Sequence, residues 1–188
     1  MTKLATILLV CVCASACRNI SADEVADELG SEVYAVDSNA GCIAKICTGM
    51  SEAQFLALQY PSSKRMVFLE GDEYLVMNTL IEDAVSVEVL FDSGKVERLS
   101  TRSNRARDEH GNGVGSTLSD LKRTYTLEAL LLDQGGELVN FASGTTVVYQ
   151  FNSGDFPSEC IDVYKPDCQL NEQAEVVRIV VHSGPTRG

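Results

Sequence analysis

The chain has no tryptophan and only two histidines, His110 and His182, among its 188 residues. Histidine-based metal and acid–base motifs therefore have little to be built from. H-E-x-x-H, the G-x-S-x-G of a nucleophile elbow and a calcium-loop pattern are all missing from the sequence. No two cysteines stand at C-x-x-C spacing, which removes the usual zinc-site and thioredoxin-like signatures. Positive charge is scarce as well. Fifteen Lys and Arg against 27 Asp and Glu give a net charge of -12, so nonspecific attraction to nucleic acid or to an anionic membrane surface is excluded as the main driver of binding. Long apolar runs are also lacking, and the longest, near the N-terminus, is too short to cross ~30 Å of hydrocarbon as a stable helix.

What is present begins with that N-terminal run. Lys3, the apolar stretch 4–12 and Ala14-Ser15-Ala16 ahead of Cys17 read as an export signal over residues 1–16. Two cleavage readings compete. Ala-Ser-Ala suits an ordinary signal peptidase, whereas Ser-Ala-Cys resembles the end of a bacterial lipobox, in which the Cys17 thiol takes a diacylglyceryl group and becomes the mature N-terminus. Cysteine arithmetic favours the second: of seven cysteines, Cys11 and Cys13 leave with the signal and four remain in the body, so Cys17 is either lipidated or an odd exposed thiol in an oxidising compartment. The lipoprotein resemblance implies a cell-envelope location, at the outer membrane facing the periplasm, because Arg18 and not Asp follows the cysteine.

Residues 17–40 are acidic and read as a lipid-anchored tether, with the organised domain over 41–188 and possible repeat halves at 41–110 and 111–188. Cys160 and Cys168 bracket a Lys-Pro-Asp turn and are expected to pair, leaving Cys42 with Cys47. Ser51 with Gln54, and Thr117 with Asp120, form two capping boxes, each announcing a helix behind a glycine. The first is expected to run to Tyr60, before Pro61. Alternating runs at Met66 to Leu69, Tyr74 to Leu80, Val85 to Phe91 and Lys95 to Thr101 predict strands, and others are expected near 137–141, 145–151 and 174–182. The fold class expected from this order is α+β, two helix-then-antiparallel-meander units packed as one domain.

The lead-in Gly111-Asn112-Gly113-Val114-Gly115 invites a phosphate-cradle reading, but no Gly-Lys-Ser/Thr follows and the spacing is not G-x-G-x-x-G, so tight-turn architecture is the better reading. Arg98, Arg102, Arg105, Arg107, Lys122 and Arg123 concentrate positive charge in an acidic chain, a candidate docking patch for an anion or an acidic partner. The same charges are also consistent with a solvated loop neutralised by Glu97, Asp108 and Glu109. No cofactor, metal or catalytic residue is assigned.

The motif Gly111-x-Gly-Val-Gly-Ser-Thr-Leu-x-Asp-Leu-Lys, with the strand before it and the Gly49-Met50-Ser51 helix start, resembles a group of small bacterial envelope lipoproteins of unknown function. More distantly it resembles small lipoprotein domains of the β-lactamase-inhibitor-like and outer-membrane-assembly type. The resemblance covers 41 to about 151 and implies a noncatalytic, lipid-anchored envelope protein that binds an envelope protein or supports assembly, touching the membrane by its lipid anchor only and not nucleic acid. Two other readings remain open: a small exported hydrolase with a site built from distant residues, and a soluble periplasmic inhibitor or ligand-binding module.

Overall fold

A computed structural model describes residues 33–69, 71–142, 144–162 and 168–184. The expected signal sequence, Cys17 and the first part of the expected tether lie outside the described residues. Twelve strands and two short helices are described. Four strands make a small sheet: β1 (Tyr34–Asp37), β2 (Cys42–Ile43), β3 (Ile46–Cys47) and β8 (Ala106–Asp108), in the order β3-β2-β1-β8, with β1 and β8 parallel. The other eight form one antiparallel sheet. Its first run is β4 (Ser62–Leu69), β5 (Asp72–Ile81), β6 (Val85–Asp92) and β7 (Lys95–Thr101); its second is β9 (Ala129–Leu132), β10 (Leu138–Ala142), β11 (Val147–Asn152) and β12 (Arg178–His182). Because β7 pairs with β12, the order is β4-β5-β6-β7-β12-β11-β10-β9.

The α+β expectation of two packed helix-then-meander units is overturned. Helix α1 (Glu52–Leu56) has five residues and α2 (Leu118–Thr124) has seven, and the two runs of strands join edge to edge through the β7–β12 ladder into a single sheet. Three consecutive antiparallel pairings on each side of that seam satisfy their backbone groups most completely by continuing the ladder, so no separate halves form. Residues 33–40 also belong to the fold and not to a tether: β1 buries Tyr34 and Val36 against the core.

Local chemistry sets the turns and caps. Asp92 pairs with Lys95 across a two-residue hairpin whose Ser93 and Gly94 both have positive φ, 49° and 76°, the twist a tight hairpin between right-twisted strands requires. In α1 the Ser51 hydroxyl accepts from Gln54 N while the Gln54 side chain accepts from Ser51 N. In α2 Thr117 and Asp120 repeat this arrangement. The first helix stops at Leu56, well before Tyr60, because Leu58 N and Gln59 N donate to the carbonyls three residues back and Gln59 turns to a φ of 58°. Thr117→Ala should lower stability by about 1 kcal/mol, read from chemical denaturation; an unchanged midpoint would mean the cap does not hold the helix start.

The core lies between one face of the large sheet and a layer made of α1, α2 and the small sheet. Val87, Val89, Phe91, Leu99, Ile179, Val181, Tyr149 and Phe141 project from the strands into one cluster with Ile43, Ile46, Phe55, Leu118 and Leu121. Phe55 meets Phe91 edge to face at 5.4 Å. Both expected disulfides are present: Cys42–Cys47 bridges directly opposed residues of β2 and β3, and Cys160–Cys168 closes its loop.

Candidate functional site

Four of the five backbone N–H groups of the glycine-rich lead-in are already occupied within the fold, which leaves no cradle of converging donors for a phosphate. Gly111 N donates to Asp108 O, Asn112 N to Asp108 Oδ1, Gly113 N to Ser116 Oγ and Gly115 N to Val176 O. The first N–H groups of α2 are equally occupied, Leu118 N by Ala174 O and Ser119 N by Glu172 O. The segment after the second disulfide thus lies along this lead-in and satisfies it.

Asp108 organises the same region. It sits on β8 and is buried. Its Oδ2 accepts from Tyr125 Oη at 2.6 Å and from Tyr149 Oη, and its Oδ1 accepts from the backbone N–H of Asn112 and His110. Burial pushes the carboxyl pKa up, but the tyrosine and backbone hydrogen bonds outweigh it and hold the group below its ordinary value. Burial first, and then the Asp108 carboxylate, push both tyrosines well above the usual phenol range. A carboxylate this fully satisfied is a structural hub with no lone pair aimed at a substrate.

The six cations of the expected patch do not form one surface. Lys122 pairs with Glu172 at 2.6 Å and Arg123 with Asp120 at 2.9 Å. Arg105 stacks over the Tyr34 ring at 5.6 Å, and Arg107 donates to Ser116 Oγ. Only Arg98 and Arg102, on and just after β7, face the outer side of the large sheet, where they lie near Arg178 on β12. Neither makes an ion pair among the described residues.

That outer face carries the candidate site. Five adjacent strands, β7, β12, β11, β10 and β9, all line one cleft of about 580 Å³, so the face is concave. A second depression of about 520 Å³, over β5 to β7, shares Arg178 with it. Cross-strand register sets the chemistry in rows. Arg178, Gln150, Asn140 and Leu131 stand opposite one another in one row, Ser100, Val180 and Val148 in the next, and Arg98 opposite His182 in a third.

Each group is held. Arg178 Nη2 donates to Ser100 Oγ at 2.8 Å and to Glu88 Oε1 at 3.2 Å, while Arg65 holds the other Glu88 oxygen at 2.7 Å. Gln150 Nε2 donates to Asn140 Oδ1 at 2.8 Å, but the Gln150 Oε1 is buried without a protein hydrogen-bond partner. A buried amide oxygen left in that state is costly and marks a place where a donor belongs. Burial, and secondarily Arg98, lower the His182 pKa, so this imidazole is neutral at pH 7. No group of three His, Cys, Asp or Glu is placed to hold a metal among the described residues.

Of this site the sequence identified Arg98 and Arg102 as candidates; Arg178, Gln150, Asn140 and Glu88 went unmarked. Their spread over the chain left no local motif, and only the alternation on β6, with Ser86 and Glu88 polar between apolar neighbours, indicated which side chains share a face.

No protein-family model matches the chain, and no curated protein matches it at a significant level. Among solved structures, the crystal structure of the uncharacterized protein yfeY from Escherichia coli is similar, with a TM-score of 0.56 at 17% sequence identity, covering 80% of this chain and 99% of that one. At that identity the likeness is one of fold.

Proposed function

We propose that the protein is a noncatalytic binding protein of the bacterial cell envelope, anchored through a lipid on Cys17, and that it binds with the outer face of its eight-stranded sheet. The observation that carries the binding role is the cleft, lined by Arg98 and Arg178 together with Gln150, Asn140 and the apolar Val148 and Val180. Polar groups that converge on a concave apolar floor are what ligand sites are made of. In an acidic chain these arginines also set a local field of the opposite sign, which favours an anionic group on whatever binds. The anchor is supported by the sequence around Cys17 alone. If Cys17 follows an ordinary cleavage site, the same face serves a soluble periplasmic binding module.

Two experiments address the two parts. Growth with radiolabelled palmitate should label the wild type and not Cys17→Ser; an unlabelled wild type would end the anchor proposal. For the binding surface, a photoreactive residue is placed in living cells at Leu132, which is 41% exposed on the cleft rim, or at Leu56, which is 55% exposed on α1. A discrete adduct is expected from position 132 and not from 56. Adducts from 56 alone, or none from 132, would remove the outer face as the binding surface.

A further inference from the structure

We propose that a second copy of the chain pairs antiparallel along β4, joining two eight-stranded sheets edge to edge; this is independent of the outer-face cleft. The two ends of the large sheet differ. At the β9 end, Asp162 N donates to Leu130 O at 2.7 Å and Leu132 N donates to Asp162 Oδ1 at 2.9 Å, so the loop closed by the Cys160–Cys168 disulfide occupies that edge. At the other end β4 runs for eight residues with no described strand beyond it. An edge of that kind is a template for another strand.

The ladder register identifies the free groups. Leu80 N donates to Pro61 O, so the odd-numbered residues of β4 turn their backbone groups toward β5, and Ser62, Lys64, Met66 and Phe68 turn theirs outward. Among the described residues nothing pairs with the outward groups of Lys64, Met66 and Phe68. The side chains do not shield them. Met66 stands opposite Leu75, and Leu75 opposite Phe91 of the core, so Met66 and Phe68 lie on the core-bearing face but past the layer that covers it. They are 48% and 74% exposed. A strand added beyond β4 continues these rows and takes both side chains out of water.

The charges of β4 fit a second β4. An antiparallel ladder must match outward groups with outward groups, so the two-fold axis falls at a residue position. An axis at Lys64 or Arg65 sets that residue against its own copy, and like charges directly opposed are destabilising. An axis at Val67 leaves fewer residues of Ser62–Leu69 paired. With the axis at Met66, Lys64 faces the partner's Phe68, whose neighbour on the next strand is the partner's Glu73. Each row then reads lysine, phenylalanine, glutamate, with no like charges in contact. The contact also lies on a cationic stretch, Lys64-Arg65, of a chain whose net charge of -12 otherwise keeps copies apart. Pairing uses the open edge of both copies and leaves only the occupied β9 edges, so assembly stops at two.

Cysteine cross-linking in intact cells tests the partner and the register together, since the four body cysteines are already paired. In Met66→Cys the two thiols meet across the axis with about 5.5 Å between Cα atoms, a span that a disulfide closes. In Lys64→Cys they are offset by four residues, about 14 Å, and cannot join. A mild oxidant should give a covalent dimer from Met66→Cys and at least tenfold less from Lys64→Cys. Phe68→Lys, added to the Met66→Cys chain, sets a lysine against the partner's Lys64 and should lower the dimer yield about tenfold; adding Lys64→Glu as well should restore it. Restoration by a second charge separates a lost contact from a folding fault. No dimer from position 66, equal yields from 64 and 66, or a loss that Lys64→Glu does not restore would overturn the proposal. A mixed disulfide between Met66→Cys and a different protein, in place of the dimer, would overturn it too and assign the edge to a foreign strand.

Discussion

Replacing Asp108 by alanine is expected to lower stability by about 3–5 kcal/mol, because several buried donors lose their acceptor together at about 1–3 kcal/mol each. Asp108 is a single carboxylate with five donors pointed at it. Its loss leaves the Tyr149 hydroxyl, on a fully buried ring, with only a long 3.4 Å contact to Tyr125 Oη and the Asn112 N–H without its acceptor, each costing much of the desolvation that the carboxylate had offset. At ~2–4 °C per kcal/mol for a chain this size the melting temperature should fall by ~6–20 °C. Tyr149→Phe removes one donor and leaves the carboxylate its other partners, so a smaller loss of about 1.5–3 kcal/mol is expected.

The same hub sets a pH dependence with a fixed sign. The Asp108 pKa in the folded protein lies below its ordinary value of 3.8, so its contribution is fully present above that value and is lost as pH falls through the lower folded value. Tyr125 and Tyr149 are shifted the other way, so their contribution is present below pH 10.0 and is lost as pH rises beyond it. Denaturation from pH 2 to 8 should show an acid limb in the wild type that is flattened in Asp108→Ala. An acid limb identical in both would show that Asp108 is not the titrating group.

Gly113→Ala is expected to cost about 3 kcal/mol, the upper end for forcing atoms into a filled site. A Cβ there would lie 2.3 Å from the Ala106 carbonyl oxygen and 2.8 Å from Arg107 Cδ. The carbonyl belongs to β8, which pairs in parallel with β1, so the strand cannot yield without disturbing the small sheet. Gly154 meets nothing within 4 Å and has no left-handed φ, so Gly154→Ala should stay within ~0.5 kcal/mol. Equal stability of the two variants would mean the lead-in does not need its close approach to β8.

These two residues mark where the sequence is legible and where it is not. Gly113 stands in a stretch whose glycines are visible at once, and reading them as tight architecture agrees with a loop that folds back to pair Arg107 with Gly113. Asp108 stands among arginines and reads as a neutralising charge, because its phenol partners are 17 and 41 residues away and nothing nearby announces them. The long strands were readable for a physical reason: β6 alternates from Val85 to Val89, and a two-residue turn follows at Ser93-Gly94. The small sheet was not, because β2 and β3 have two residues each and β8 three, too short for any period to register. The cleft was the least legible, since Gln150 and Arg178 meet only when β11 pairs with β12.

The outer sheet face as binding surface is tested most directly by photo-cross-linking from Leu132 in cells, comparing the wild-type background with one carrying Arg98→Gln and Arg102→Gln together. Neither arginine has an ion pair among the described residues, so the pair of substitutions removes charge from the face and leaves the described ion pairs intact. If the face binds through its arginines, the adduct forms in the wild type and is lost in the double variant at equal protein level and unchanged melting temperature. An adduct of equal yield in both would contradict it.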